Sequence, residues 1–199
     1  MPSIAELILS YAKSLPEGAL IGAKELLHLG KRPAVDQALR RLRKGQELMR
    51  LAQGLYVLPI KTRFGTRAPS AEKVIEALAS ARAETIVPHG AAAANKLGLT
   101  TQVPTKLVYL TSGPNRHFKL GAQAVEIKHA PPWMLLPTKP EAGQAVRALA
   151  WLGEREAGEA LETLKRKLPE STLQELVALR RVLPPWMSKS ISQRLLTNG

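Results

Sequence analysis

Cysteine is absent from the 199 residues, and of the 16 acidic side chains only Asp36 is an aspartate. The first absence excludes a disulfide framework and any Cys-ligated zinc or iron–sulfur site, and it suits a reducing cytoplasm. The second tells against metal-dependent nucleases, polymerases and nucleotidyltransferases, which gather two or more carboxylates around their cations. Aromatic residues are also scarce, three Trp, three Tyr and two Phe, and they form no cluster of the kind that stacks single-stranded bases. The longest stretch free of Asp, Glu, Lys and Arg is the 11 residues 85–95, against the ~20 that a membrane-spanning helix needs. Residues 1–15 carry no basic leader followed by an apolar block. The expectation is a cytoplasmic protein with no membrane partner.

Positive charge, by contrast, is plentiful. Lys and Arg total 29, giving a net charge of +13, which points to a polyanionic partner and to nucleic acid first. Residues 1–67 hold 12 Lys/Arg against 5 Asp/Glu, a net +7. The other +6 is spread over the remaining 132 residues.

Local signals divide the chain. Ser3-Ile4-Ala5-Glu6 reads as a capping box opening an amphipathic helix on Ile4, Leu7, Ile8, Tyr11 and Leu15. Residues 22–29 read as a second helix, and a third runs from Pro33 to about Lys44, where Gly45 ends it. Residues 48–51 and 55–58 then pair as a hairpin around the Ala52-Gln53-Gly54 turn. Three helices followed by a hairpin is the order of a winged helix-turn-helix, assigned to residues 1–60. Residues 61–69, polar and basic with Gly65 and Pro69, read as a linker. Residues 70–199 read as a small mixed α/β domain, its strands at 85–87, 106–111, 116–120 and 125–128. Three helices follow, over about 141–152, 154–167 and 171–182. The expected fold class is therefore α+β, a winged helix-turn-helix followed by an α/β domain with a helical C-terminal part. Pro-Pro-Trp-Met occurs at both 131–134 and 184–187, and helix-stopping proline beside a core aromatic explains that better than duplication.

The third helix carries the functional signal. At about 100° per residue, Val35, Ala38, Leu39 and Leu42 form an apolar seam. Gln37, Arg40 and Lys44 project roughly opposite, with Asp36, Arg41 and Arg43 on the flanks. Arg40 is suited to guanine edges and Gln37 to adenine. Lys31, Arg32, Arg41, Arg43 and Lys44 suit phosphates, while Arg50 and Gln53 on the hairpin reach a neighbouring groove or the backbone. Six basic residues and one acid among positions 31–44 favour DNA contact over a merely solvated face.

Signs of catalysis are missing. His28, His89, His117 and His129 form no H-E-x-x-H pair, and there is no P-loop, G-x-G-x-x-G or G-x-S-x-G. No catalytic residue, metal site or cofactor is expected. Two other readings stay open. One is a protein-docking module built on the winged helix. The other, weaker, is an RNA-modifying enzyme that depends on His89 or His117.

Three segments carry a family resemblance: Pro88-His89-Gly90-Ala91-Ala92-Ala93-Ala94-Asn95-Lys96-Leu97-Gly98-Leu99, then 106–114 (KLVYLTSGP), then 125–131 (VEIKHAP). With Gly54-Leu55-Tyr56 and the late Leu183-Pro184-Pro185-Trp186-Met187, the order resembles that of AbiEi-like antitoxins of bacterial type IV toxin–antitoxin systems. The resemblance implies a winged-helix DNA-binding domain joined to an α/β antitoxin domain. It implies repression of the protein's own operon through double-stranded promoter repeats. It also implies neutralisation, direct or indirect, of a cognate toxin resembling a nucleotidyltransferase. The DNA-contacting positions it implies fall within Lys31–Lys44 and Arg50–Gly54, and it assigns no residue to neutralisation.

Overall fold

Ser3 stands in extended conformation ahead of the first helix, α1 (Ile4–Ser14), and the two are locked together. Its hydroxyl accepts from the Glu6 amide at 3.3 Å, and its own amide donates to the Glu6 carboxylate at 2.7 Å. Two helix-start donors are thereby satisfied reciprocally. The Ser3 amide and then its hydroxyl hold the Glu6 carboxyl below its ordinary value, with a smaller contribution from Arg41. These elements belong to a computed structural model that describes residues 2–196. It is a mixed α+β protein in two compact units, one running up to Glu84 and including Arg116–Glu126, the other made of Thr85–Asn115 and the chain from Ile127 onward.

In the first unit, α1 is followed by β1 (Leu20–Gly22), a 3-10 turn (Glu25–Leu29), α2 (Arg32–Lys44), β2 (Met49–Ala52) and β3 (Leu55–Val57). The second helix expected over residues 22–29 is thus only a five-residue 3-10 segment. Gly22 is taken by β1, where it pairs with Leu55, and Lys24 offers no capping bond. What remains is too short for an α-helix and tightens instead. The strands form an antiparallel sheet in the order β1-β3-β2. Ala5, Ile8 and Ala12 of α1 pack with Val35, Ala38, Leu39 and Leu42 of α2, and Ile21, Leu26 and Tyr56 complete that core.

Where the sequence reads as a linker, the chain forms a ribbon of β4 (Ile60–Thr62) and β5 (Gly65–Arg67). Then comes α3 (Ala71–Arg82), burying Val74, Ile75 and Leu78 and ending at Ala83 in the left-handed region, φ +51. The first unit also holds β8 (Arg116–Leu120) and the start of β9 (Gln123–His129). Arg116 and Glu84 form a partly buried two-point ion pair, which raises the Arg116 pKa.

The second unit contains β6 (Ile86–Pro88), α4 (Gly90–Lys96), β7 (Leu107–Thr111) and the end of β9, with β6 and β7 antiparallel. Helices α5 (Pro140–Leu152), α6 (Glu154–Lys167), α7 (Glu170–Leu179) and α8 (Pro185–Ile191) complete it. His89 caps α4, its Nδ1 accepting from the Ala91 amide at 3.2 Å. Burial, and then Lys128, lower its pKa. The alanine run has a packing role: Ala93 and Ala94 are buried against Ala148 of α5. At Gly90 a Cβ would lie 2.3 Å from the Arg147 carbonyl. Small residues let the α4 and α5 backbones touch. A larger core joins α5 to α6, α7 and α8 through Leu149, Leu161, Leu164, Leu176 and Met187. Both Pro-Pro-Trp-Met copies start helical turns, one at Pro132–Met134 and one at α8. Among the described residues no helix is long and apolar enough to cross a membrane.

Candidate nucleic-acid interface

Helix α2 begins at Lys31, whose backbone is extended, with Pro33 in the first turn where its missing N–H costs nothing. Its apolar seam of Val35, Ala38, Leu39 and Leu42 is fully drawn into the core. Arg41, Arg43 and Lys44 fill the last turn, where cations complement the exposed carbonyls of a helix C-terminus.

Beside that seam runs a stripe at helical spacing: Arg32, Asp36, Arg40, Arg43 and Lys44. It forms one wall of an open groove of about 540 Å³ whose other wall is the hairpin, through Arg50, Gln53 and Gly54, with Tyr56 beneath. The hairpin is shaped for this. A register shift between Arg50 and Ala52 bulges β2, and Gly54 turns the chain at φ +70. Gly54 meets only the Ala23 side chain, at 3.9 Å from a Cβ, so the backbone angle rather than space calls for glycine.

Charge in the groove is lopsided. Arg32 Nε lies 3.0 and 2.9 Å from the two oxygens of Asp36, the only acid among the described residues that line it. Arg50 donates from Nε to the Ala52 carbonyl at 3.1 Å, which fixes its side chain along the hairpin. Arg40, Arg43 and Lys44 are exposed. No acidic group lies within 4.0 Å of them among the described residues. An open basic cleft of this kind has the charge to accept a chain of phosphates, with donors left over for base edges.

Of the residues singled out from sequence, Arg32, Arg40, Arg43, Lys44, Arg50 and Gln53 line the groove. Lys31, Gln37 and Arg41 are exposed but lie outside its lining. Arg41 is placed near Glu6 of α1, whose pKa it helps lower. The turn expected at Ala52-Gln53-Gly54 is where the chain reverses, whereas sequence reasoning missed Tyr56 as the floor and the role of Asp36 as the counter-ion of Arg32. The i,i+4 spacing of Arg32 and Asp36 was the available signal for the last. Among the described residues, no three His, Cys, Asp or Glu side chains gather to hold a metal.

The chain belongs to a family of unknown function, DUF6088, whose profile matches residues 7–175. No curated protein matches it. Its fold is similar to the crystal structure of the RV2827C protein from Mycobacterium tuberculosis. That match has 16% sequence identity and a TM-score of 0.57, covering 98% of this chain and 77% of that one.

Proposed function

We propose that the protein is a cytoplasmic repressor that binds duplex DNA through its first unit, a winged helix-turn-helix in which α2 enters the major groove and β2–β3 is the wing. The observation that carries this reading is the groove in which Arg40, Arg43 and Lys44 stand beside Arg50 and Gln53. At 13 residues α2 is about 20 Å long, enough to lie along a major groove. Arg40, in mid-helix, is the residue for a bidentate bond to guanine O6 and N7. Arg43, Lys44 and Arg50 hold phosphates, and Gln53 probes the adjoining groove edge.

The resemblance of residues 88–131 to AbiEi-like antitoxins supports a second role for the same protein. It would repress its own promoter through repeated sites and neutralise a toxin encoded beside it. No residue of the second unit is assigned that role.

Titration of a labelled duplex from upstream of its own gene, across a range of salt, tests the DNA reading. Arg40→Ala is expected to weaken specific binding by ~1–3 kcal/mol and relax sequence preference. Undiminished and equally specific binding by that variant would sink the assignment. If the wild type binds no duplex, the groove belongs to an acidic protein partner instead.

A further inference from the structure

The β4–β5 ribbon holds out an aromatic ring with no structural task. Residues 61–67 are all exposed, and Phe64 at the tip, one of two phenylalanines in the chain, is 86% exposed. The turn that carries it is built with care. Thr62 Oγ1 accepts from the Phe64 amide at 3.2 Å and donates to the Gly65 carbonyl at 2.9 Å. Gly65 sits at φ +118 with nothing within 4 Å of a Cβ, so it is glycine for the turn and not for space.

The root of the ribbon is anchored by charge. Lys61 Nζ lies 3.0 and 3.2 Å from the Glu47 carboxylate. Arg67 donates to the Ala68 carbonyl at 3.1 Å and lies 3.9 Å from Glu17. At the tip, the Arg63 guanidinium lies 4.6 Å from the Phe64 ring centroid, covering one face and leaving the other open. Turns exposed only to water favour Asn, Asp, Ser or Gly; a phenyl beside an arginine suits a nucleobase and its phosphate. Position agrees with this. Glu47, which grips the root, is three residues beyond Lys44 at the end of the groove, a reach of at most ~11 Å.

We propose that the ribbon is a second DNA-contacting element, in which Phe64 inserts its open face against a base step flanking the segment held by α2 and Arg63 takes the adjacent phosphate. A lone ring with one cation is a wedge that unstacks a step and kinks the duplex. A single-strand platform would need successive rings. The inference rests on the DNA reading of the groove.

The test uses the full chain and duplexes carrying 2-aminopurine at successive positions of the site. Wild type is expected to brighten the probe at one step beside the α2 footprint and to bend the duplex in permuted-site gel shifts. Phe64→Ala should abolish both signals and weaken binding about 5- to 150-fold with an unchanged salt slope. Phe64→Trp should keep the brightening. Arg63→Ala should reduce the salt slope by about 0.9. If Phe64→Ala binds, brightens and bends as wild type does while Arg40→Ala still loses affinity, the ribbon inference falls and the groove reading stands. Absence of duplex binding by wild type overturns both.

Discussion

Asp36 is the one acid in the groove, and it occupies Arg32 from both carboxylate oxygens. Replacing it with Asn should therefore tighten DNA binding. Five cations line the groove. With Arg32 engaged and Arg40 on a base edge, Arg43, Lys44 and Arg50 hold phosphates beside Arg63 of the ribbon, and with these four log K should fall with log[salt] at a slope of about −3.6. Affinity would then drop ~150-fold between 50 and 200 mM salt. Asp36→Asn frees Arg32 as a fifth phosphate contact, so the slope steepens to about −4.5 and the drop becomes ~500-fold, from a tighter starting point. The accompanying loss of an exposed i,i+4 pair costs the helix only ~0.3–0.5 kcal/mol, too little to unfold the unit. Fluorescence anisotropy with a labelled duplex at four or more salt concentrations measures both slopes. A variant that binds more weakly, or that keeps the wild-type slope, would refute the assignment of Arg32 as a latent phosphate contact.

Three stability predictions follow from the backbone and the buried charge. Gly90→Ala would drive a Cβ into the Arg147 carbonyl at 2.3 Å and the Trp151 side chain at 2.6 Å, so it should destabilise by ~1–3 kcal/mol or more. All three tryptophans lie in the second unit, so urea melts followed by Trp fluorescence read that loss directly. Ala83→Gly should relieve the left-handed end of α3 and raise the stability of the first unit by ~1 kcal/mol. An unchanged calorimetric midpoint would count against strain there. Arg147 of α5 is 5% exposed; one terminal nitrogen donates to the Met134 carbonyl at 3.3 Å, but its Nε has no partner among the described residues. Burial pushes its pKa down to about 10, so the charged form opposes folding at neutral pH and the penalty fades as pH rises through that value. Arg147→Met should be neutral or stabilising by ~1–4 kcal/mol at pH 7, with its advantage over wild type shrinking at pH 10.5 in urea unfolding. A loss of stability at pH 7 would show that the guanidinium is a structural anchor.

What was legible in the sequence was local. The Ser3–Glu6 box and the α2 seam each follow from neighbours within one or two turns, and each appears in the structure. The losses have tertiary or conformational causes. Projection at 100° per residue places Gln37 opposite the seam, but it does not say on which side of α2 the hairpin lies. The hairpin stands beside Arg32, Arg40 and Arg43, so Gln37 and Arg41 fall outside the groove. The β4–β5 ribbon escaped notice because Lys61, Thr62, Arg63, Thr66 and Arg67 show no apolar alternation. Its pairing rests on the Thr62 turn and ion pairs at its root. The place of β8 in the first unit depends on contacts far along the chain, which no local pattern carries.

Folding explains part of the charge on α2 and leaves a remainder that points outward. Arg41, Arg43 and Lys44 sit in the last turn, where each gains ~0.3–1 kcal/mol from the helix dipole at low salt. They need no partner to justify their place. Arg40 gains much less, being a full turn from the C-terminus and next to like charges at 43 and 44, which repel at i,i+3 and i,i+4. Arg50 comes from another element and lines the same groove, adding to that repulsion. The one acid present is spent on Arg32. A fold selected for its own stability would have put a carboxylate between Arg40 and Arg50. Leaving that space open favours a ligand that brings its own negative charge, and the spread of cations from helix to hairpin calls for several charges in a row.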